Sequence, residues 1–219
     1  VQDLQIVLPA KYLGMEHLFR NLKEIKMNII HKVPLIVEPL MDNAADILSG
    51  QMRCKGIVTC EHFRKGELIH EQTGFNTFTT EGMAKICNII FGTTAKTGAI
   101  GTFVGLFKNN IVPAVGDTAA KLGSGNAYGE CQDADYTPAT SKPNYTIAAT
   151  TTAGCTNAAS KAEFTMAAAI TVYGAFLSMV AAKTDTTGPL ICAKKFTTAR
   201  ATEIGDVLAI SYVISLTTS

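Results

Sequence analysis

The end of the chain constrains the fold most. After Gly205-Asp206, the residues Leu208, Ile210, Tyr212, Ile214 and Leu216 point one way, and Val207, Ala209, Ser211, Val213 and Ser215 point the other. A period of two sustained over ten residues is the pattern of a strand with one face deeply buried. Such a strand cannot stand alone, so the chain has to supply a sheet around it. Upstream, Ile57, Val58, Thr59 and Cys60 form a β-prone run, Arg64-Lys65-Gly66 supplies a turn, and Leu68-Ile69-His70 returns, which predicts a hairpin. Residues 100–108 predict a third strand, stopped by Asn109-Asn110 and Pro113. Thr- and Ala-rich strands are expected at residues 145–152, 164–166 and 170–177. The turn Thr186-Thr187-Gly188-Pro189 then introduces another at residues 190–196. Strands punctuated by turns every 8 to 12 residues or so predict a mainly β chain, a β-sandwich of Ig-like or jelly-roll-like type.

One helix is embedded among these strands. Thr79 can serve as its N-cap, Glu81 places a carboxylate in the first turn, and Gly92 stands where an αL C-cap would. Between them Met83, Ile86, Cys87, Ile90 and Phe91 repeat at three and four. This stripe predicts a helix packed along one face, closing a side or end of the β core.

The first 50 residues have a different pattern. Met15, Leu18, Leu22 and Ile25 repeat at three and four with Glu16, Arg20, Lys23 and Glu24 between them, so residues 13–26 predict an amphipathic helix. Pro9 and Pro34 bracket it, and Pro39 precedes a second short helical run at residues 43–48. The domain organisation is therefore an N-terminal helical arm over residues 1–50 and a sandwich over residues 51–219. An amphipathic helix on such a tether buries its stripe on its own domain or on a neighbour. That makes Met15, Leu18, Leu22 and Ile25 the candidate partner-binding residues.

Composition decides against several classes of function. A net charge of +1, with no run of Lys or Arg interleaved with aromatics, gives no electrostatic footprint for nucleic acid. The first residues, VQDLQIVLPAKYLGM, have neither the basic nor the apolar region of a signal peptide. Residues 164–182, FTMAAAITVYGAFLSMVAA, carry no charge and meet the length of a membrane span. They are rich in Ala, Thr and Gly, lack flanking basic clusters, and read better as two adjoining buried strands. Charged residues are only 17% of the chain and hydrophobic ones 47%, a mild surface suited to life inside an assembly.

No catalytic constellation and no cofactor motif stands out. The six cysteines lack zinc spacing and read as reduced, mostly buried thiols. Cys54, Cys60 and His62 alternate along a strand and need a fourth ligand to make a metal site. Glu130, Asp133 and Asp135 sit in residues 116–144, a stretch so rich in Gly, Asp, Asn, Ser and Pro that it predicts a long surface loop. The carboxylates there have no base-orienting partner and read as a hydrated acidic loop or a weak cation site.

The order of several motifs carries a resemblance. A hairpin, Asn76-x-x-Thr79-x-Glu81-Gly82, an apolar helix, Phe103-Val104-Gly105-Leu106-Phe107, Thr187-Gly188-Pro189-Leu190 and a terminal Gly205-Asp206-Val207-Leu208 strand follow one another. In this order and spacing, over residues 53–217, the chain resembles a family of tailed-bacteriophage virion proteins. Where members of that family carry tryptophans, this chain offers Phe103, Tyr128, Tyr136 and Tyr145. The resemblance implies a non-enzymatic β-sandwich in the virion, most directly a capsid decoration or cement protein on the major capsid protein lattice. The alternative it implies is a tail, collar or fibre component. The implied partners are virion proteins and further copies of the chain, a trimer among them, with no nucleic acid, membrane or cofactor.

Overall fold

The computed structural model describes residues 52–92, 102–147 and 152–218. Met52–Thr217 form one compact unit of two antiparallel sheets. The arm, with Met15, Leu18, Leu22 and Ile25, lies outside the described residues.

The first sheet runs β2 (Glu67–Phe75), β1 (Met52–Arg64), β10 (Val207–Thr218), β7 (Ala162–Met166) and β5 (Tyr136–Thr137), with β6 (Gly154–Thr156) also paired to β10. The second runs β3 (Thr77–Phe78), β9 (Leu190–Ala201), β8 (Thr171–Ser178) and β4 (Phe103–Phe107). Strands β1, β3, β4 and β5 thus pair with β10, β9, β8 and β7 in nested order, with the two middle pairs together in the second sheet. The expected hairpin is present: β1 and β2 pair from Ile57↔Phe75 to Arg64↔Glu67, and Lys65 and Gly66 turn the chain at φ 52° and 87°. The uncharged stretch is β7 and β8, and among the described residues no helix is long and apolar enough to cross a membrane.

Two cores flank the second sheet. Between the sheets lie Val58, Cys60, Val104, Leu106, Phe164, Leu177, Cys192, Leu208, Ile210 and Tyr212. On the outer face of the second sheet, Phe107, Phe176, Leu190 and Ala193 pack with Ala119, Leu122 and Tyr128. The last three belong to the supposed surface loop. Its Gly, Asp and Asn residues make tight turns, while Asp117, Ala119, Leu122, Tyr128, Glu130, Cys131, Asp135, Tyr136 and Lys142 are buried. The loop is therefore a third layer over the sheet, which corrects the reading from composition. With both faces covered, β4 and β8 appear in sequence as unbroken apolar runs.

Three other expectations change. Residues 208–212 of β10 are buried on both faces, because the second face carries only the small Ala209 and Ser211, which lie between the flanking strands β1 and β7. Tyr145 and its described neighbours to Ile147 form no strand, although Asn144 bridges to Phe103. The helix, α1 (Thr80–Ile90), ends on Phe91 in the right-handed region, so Gly92 is not an αL cap.

The start of α1 is as expected. Thr79 accepts a hydrogen bond from Gly82 N at 3.0 Å and donates to the Leu190 carbonyl, while Glu81 Oε2 accepts from Ala119 N at 2.9 Å and Leu190 N at 2.8 Å. One cap thus ties helix, loop layer and β9 together. The apolar stripe is only partly used: Met83 and Ile86 are half-buried, while Cys87, Ile90 and Phe91 are exposed.

Candidate interaction surfaces

Several of the charged groups buried in the unit are committed to one another, while Glu130 Oε2 and the Tyr136 and Tyr212 hydroxyls are buried without a hydrogen-bond partner. On β1, His62 is fully buried; its Nε2 donates to Asp206 Oδ2 at 2.8 Å, and its Nδ1 accepts from Arg200 Nε at 3.3 Å. Arg64 donates to the same Asp206 carboxylate from Nη2 at 2.8 Å and from Nε at 3.0 Å. That guanidinium, with the Glu203 N–H and His62 adding to it, holds Asp206 well below the usual carboxylate range. Burial pushes the Cys60 thiol up to about 12 and the Cys54 thiol up to about 11, so both are poor nucleophiles at neutral pH. All six cysteines are free thiols.

Glu130, Asp133 and Asp135 each face a different lysine. Glu130 meets Lys142 at 3.1 Å with both side chains fully buried, Asp135 meets Lys108 at 2.8 Å, and Asp133 stands 3.8 Å from Lys183. Burial raises Glu130 in spite of Lys142, and it lowers Lys183, whose ammonium lies 3.5 Å from the centre of the Tyr136 ring. The Asp135–Lys108 and Asp133–Lys183 contacts tie the loop layer to its surroundings, the Glu130–Lys142 pair closes the layer on itself, and each carboxylate meets its own lysine rather than converging with the others. Among the described residues no group of three or more His, Cys, Asp or Glu could hold a metal ion. Tyr128 and Tyr136 are fully buried in the core, and Tyr145, nearly so, lines the recess beside α1.

Among exposed polar residues the fold also leaves apolar surface uncovered. A recess of about 570 Å³ opens beside α1, walled by Ile86, Ile89 and Ile90 of the helix, Ile191 of β9, and Ile214 and Leu216 of β10. Phe91, at the helix end, is 76% exposed. A smaller cleft of about 330 Å³ lies beside β9, between Phe75 at the end of β2 and Val112 and Pro113 after β4. Phe75 and Val112 are each 71% exposed. Sequence reasoning missed both surfaces. The helix stripe held a signal for the first, since it continues through Ile90 and Phe91 beyond the part that the core covers.

No protein-family model matches this chain, and no curated protein or solved structure does so either.

Proposed function

We propose that this chain is a structural protein of a bacteriophage virion, most directly a capsid decoration or cement protein that binds and stabilises the lattice of the major capsid protein. The observation that carries the reading is the open apolar recess beside α1, continued by Ile90 and Phe91. Exposed contiguous apolar surface of this kind marks a site that another protein covers. A cementing role gives it a cover: the sandwich lies across joints between shell subunits and buries the recess there. An interface of about 1,600 Å² is ordinary for one stable pair, and repetition over a lattice multiplies its effect. The nested strand pairing supports the jelly-roll-like form of sandwich, an architecture common among viral shell proteins. The ordered motifs that resemble the virion family support the same reading.

The test is the copy number of this chain in purified native particles, measured by quantitative mass spectrometry against the major shell protein. A ratio near one to one, or a fixed simple fraction such as one third, supports cementing. A few copies to a few dozen would move the protein to the tail or neck, and complete absence would sink the virion reading altogether.

A further inference from the structure

Lys142 is held where a lysine is costly. Its side chain is fully buried, its Nζ stands 3.1 Å from Glu130 Oε1 and donates to the Ala182 carbonyl at 2.6 Å, and the Phe176 ring closes the space at 5.6 Å. Glu130 is fully buried as well, and its Oε2 has no hydrogen-bond partner. Taking two ions out of water costs more than their attraction returns unless the remaining lone pairs and protons are satisfied, and here one carboxylate oxygen is not. Burial raises Glu130 in spite of the ammonium beside it, which favours the protonated, electrophilic carboxyl.

The other close pairs differ. Lys108, Lys121 and Lys161 are partly exposed beside their acids, and Asp133, opposite Lys183, is exposed. Water reaches each of those pairs and keeps both partners charged. At the buried pair the backbone also fixes both ends. Glu130 bridges to Phe107 of β4 and its N–H donates to the Leu122 carbonyl at 3.0 Å, while the Lys142 N–H donates to the Ala181 carbonyl at 2.7 Å. Thr184 sits at φ 58°, a strained region for a β-branched residue, and its N–H acts on the Glu130 carboxyl. A carboxyl and an amine held in contact and away from water are the two reactants of an amide, and fixed neighbours react as if at very high local concentration.

We propose that Lys142 and Glu130 join in an intramolecular isopeptide bond, formed by the folded chain without any other reagent. The ammonium gives one proton to Oε1, and the neutral Nζ attacks Cδ. The C–N bond forms as negative charge gathers on Oε2, which the Thr184 N–H stabilises. Nζ then gives a second proton to Oε1, the bond from Cδ to Oε1 breaks, and Oε1 leaves as water. Oε2 stays as the amide carbonyl oxygen, Nζ keeps one proton, and nothing is oxidised or reduced. The product carries no buried charge, and with the water expelled the apolar surroundings deprive hydrolysis of its reagent. The link closes residues 130–142 into a covalent ring and so locks that part of the loop layer, a stiffening that goes beyond the virion reading and does not depend on it.

The test is intact mass spectrometry of the full-length protein, incubated folded at neutral pH and then denatured. The expected mass lies below that of the sequence by one water in most molecules, and proteolysis should release two peptides joined through Glu130 and Lys142. Lys142→Arg keeps the charge and cannot form the amide, and Glu130→Ala lacks the carboxyl, so both should show the full mass of their sequences. The deciding readout is made on the unaltered protein, so a variant that fails to fold does not blunt it. Unaltered protein that is folded by its thermal melt and retains its full mass after prolonged incubation would overturn the proposal. A water loss that maps elsewhere, or that persists in either variant, would do the same.

Discussion

Gly105 on β4 and Phe176 on β8 are Cα partners across the second sheet, and the Phe176 ring occupies the space that a Cβ on Gly105 would need. Two residues along, the relation reverses: Phe107 stands opposite Gly174 and its ring fills the equivalent space there. Each glycine thus makes room for a ring under the loop layer. The arrangement predicts that Gly105→Ala destabilises the fold by about 2–3 kcal/mol, the cost of overpacking a filled core. Phe176→Leu in the same chain should recover part of that loss. Urea unfolding measures both, and a neutral Gly105→Ala would show that the ring does not pack on this glycine.

A second prediction concerns acid. Asp206 is held below the ordinary carboxylate range chiefly by Arg64, so it binds its proton less tightly in the folded chain than in the unfolded one. Its contribution is present in full above the ordinary carboxylate value of about 3.9 and is lost as pH falls from there toward the lower folded value. The urea midpoint should therefore be insensitive to this group from pH 7 to 5 and should fall below about pH 4. Asp117, lowered by Lys121 against its burial, and Asp185, lowered by the Thr187 N–H, act in the same direction. The share due to Asp206 is isolated by Asp206→Asn, which should lower stability at pH 7 by about 3 kcal/mol and flatten the acid limb. An unchanged acid limb would count against the pairing.

The buried pair Glu130 and Lys142 makes a third. Lys142→Met alone strands a carboxyl whose Oε2 already has no hydrogen-bond partner, and should cost about 3–5 kcal/mol. Glu130→Leu alone strands the ammonium, leaving it the Ala182 carbonyl and the face of the Phe176 ring at 5.6 Å. The double variant should be more stable than either single one, because a hydrophobic pair removes both desolvation costs at once. A double-mutant cycle by urea unfolding decides it, and strict additivity would mean that the two groups do not interact.

These crosslinks show where the sequence could be read and where it could not. Local chemistry was legible: the Lys65-Gly66 turn, the Thr79 cap and the alternation of β10 each rest on neighbours within a few residues. The loop layer was not, because turn-forming residues say how a segment bends and nothing about what its occasional Leu122, Tyr128 or Tyr136 meets. Its lysine partners lie at sequence separations of 12 residues for Lys142 with Glu130, 27 for Lys108 with Asp135 and 50 for Lys183 with Asp133. The helix stripe was legible as apolar, but period cannot tell a covered face from one left for a partner. The cleft beside β9 is walled by residues far apart in sequence, Phe75, Val112 and Lys195 among them, a tertiary fact with no local signature.

The last prediction separates two contributions to particle binding. If the recess beside α1 is a contact with the shell, Ile89→Asp and Ile90→Asp should each lower occupancy on particles several-fold. Ile90, 53% exposed, should do so with a stability change within about 0.5 kcal/mol. The arm stripe is an independent candidate, and Leu18→Asp with Leu22→Asp should lower occupancy as well. If both surfaces bind the particle at separate places, their losses multiply in the combined variant, since free energies of non-contacting sites add. Occupancy unchanged by the arm pair would remove the arm from the interface. Occupancy unchanged by the helix variants would leave the recess without a role in assembly, and with it the observation on which the cementing function depends.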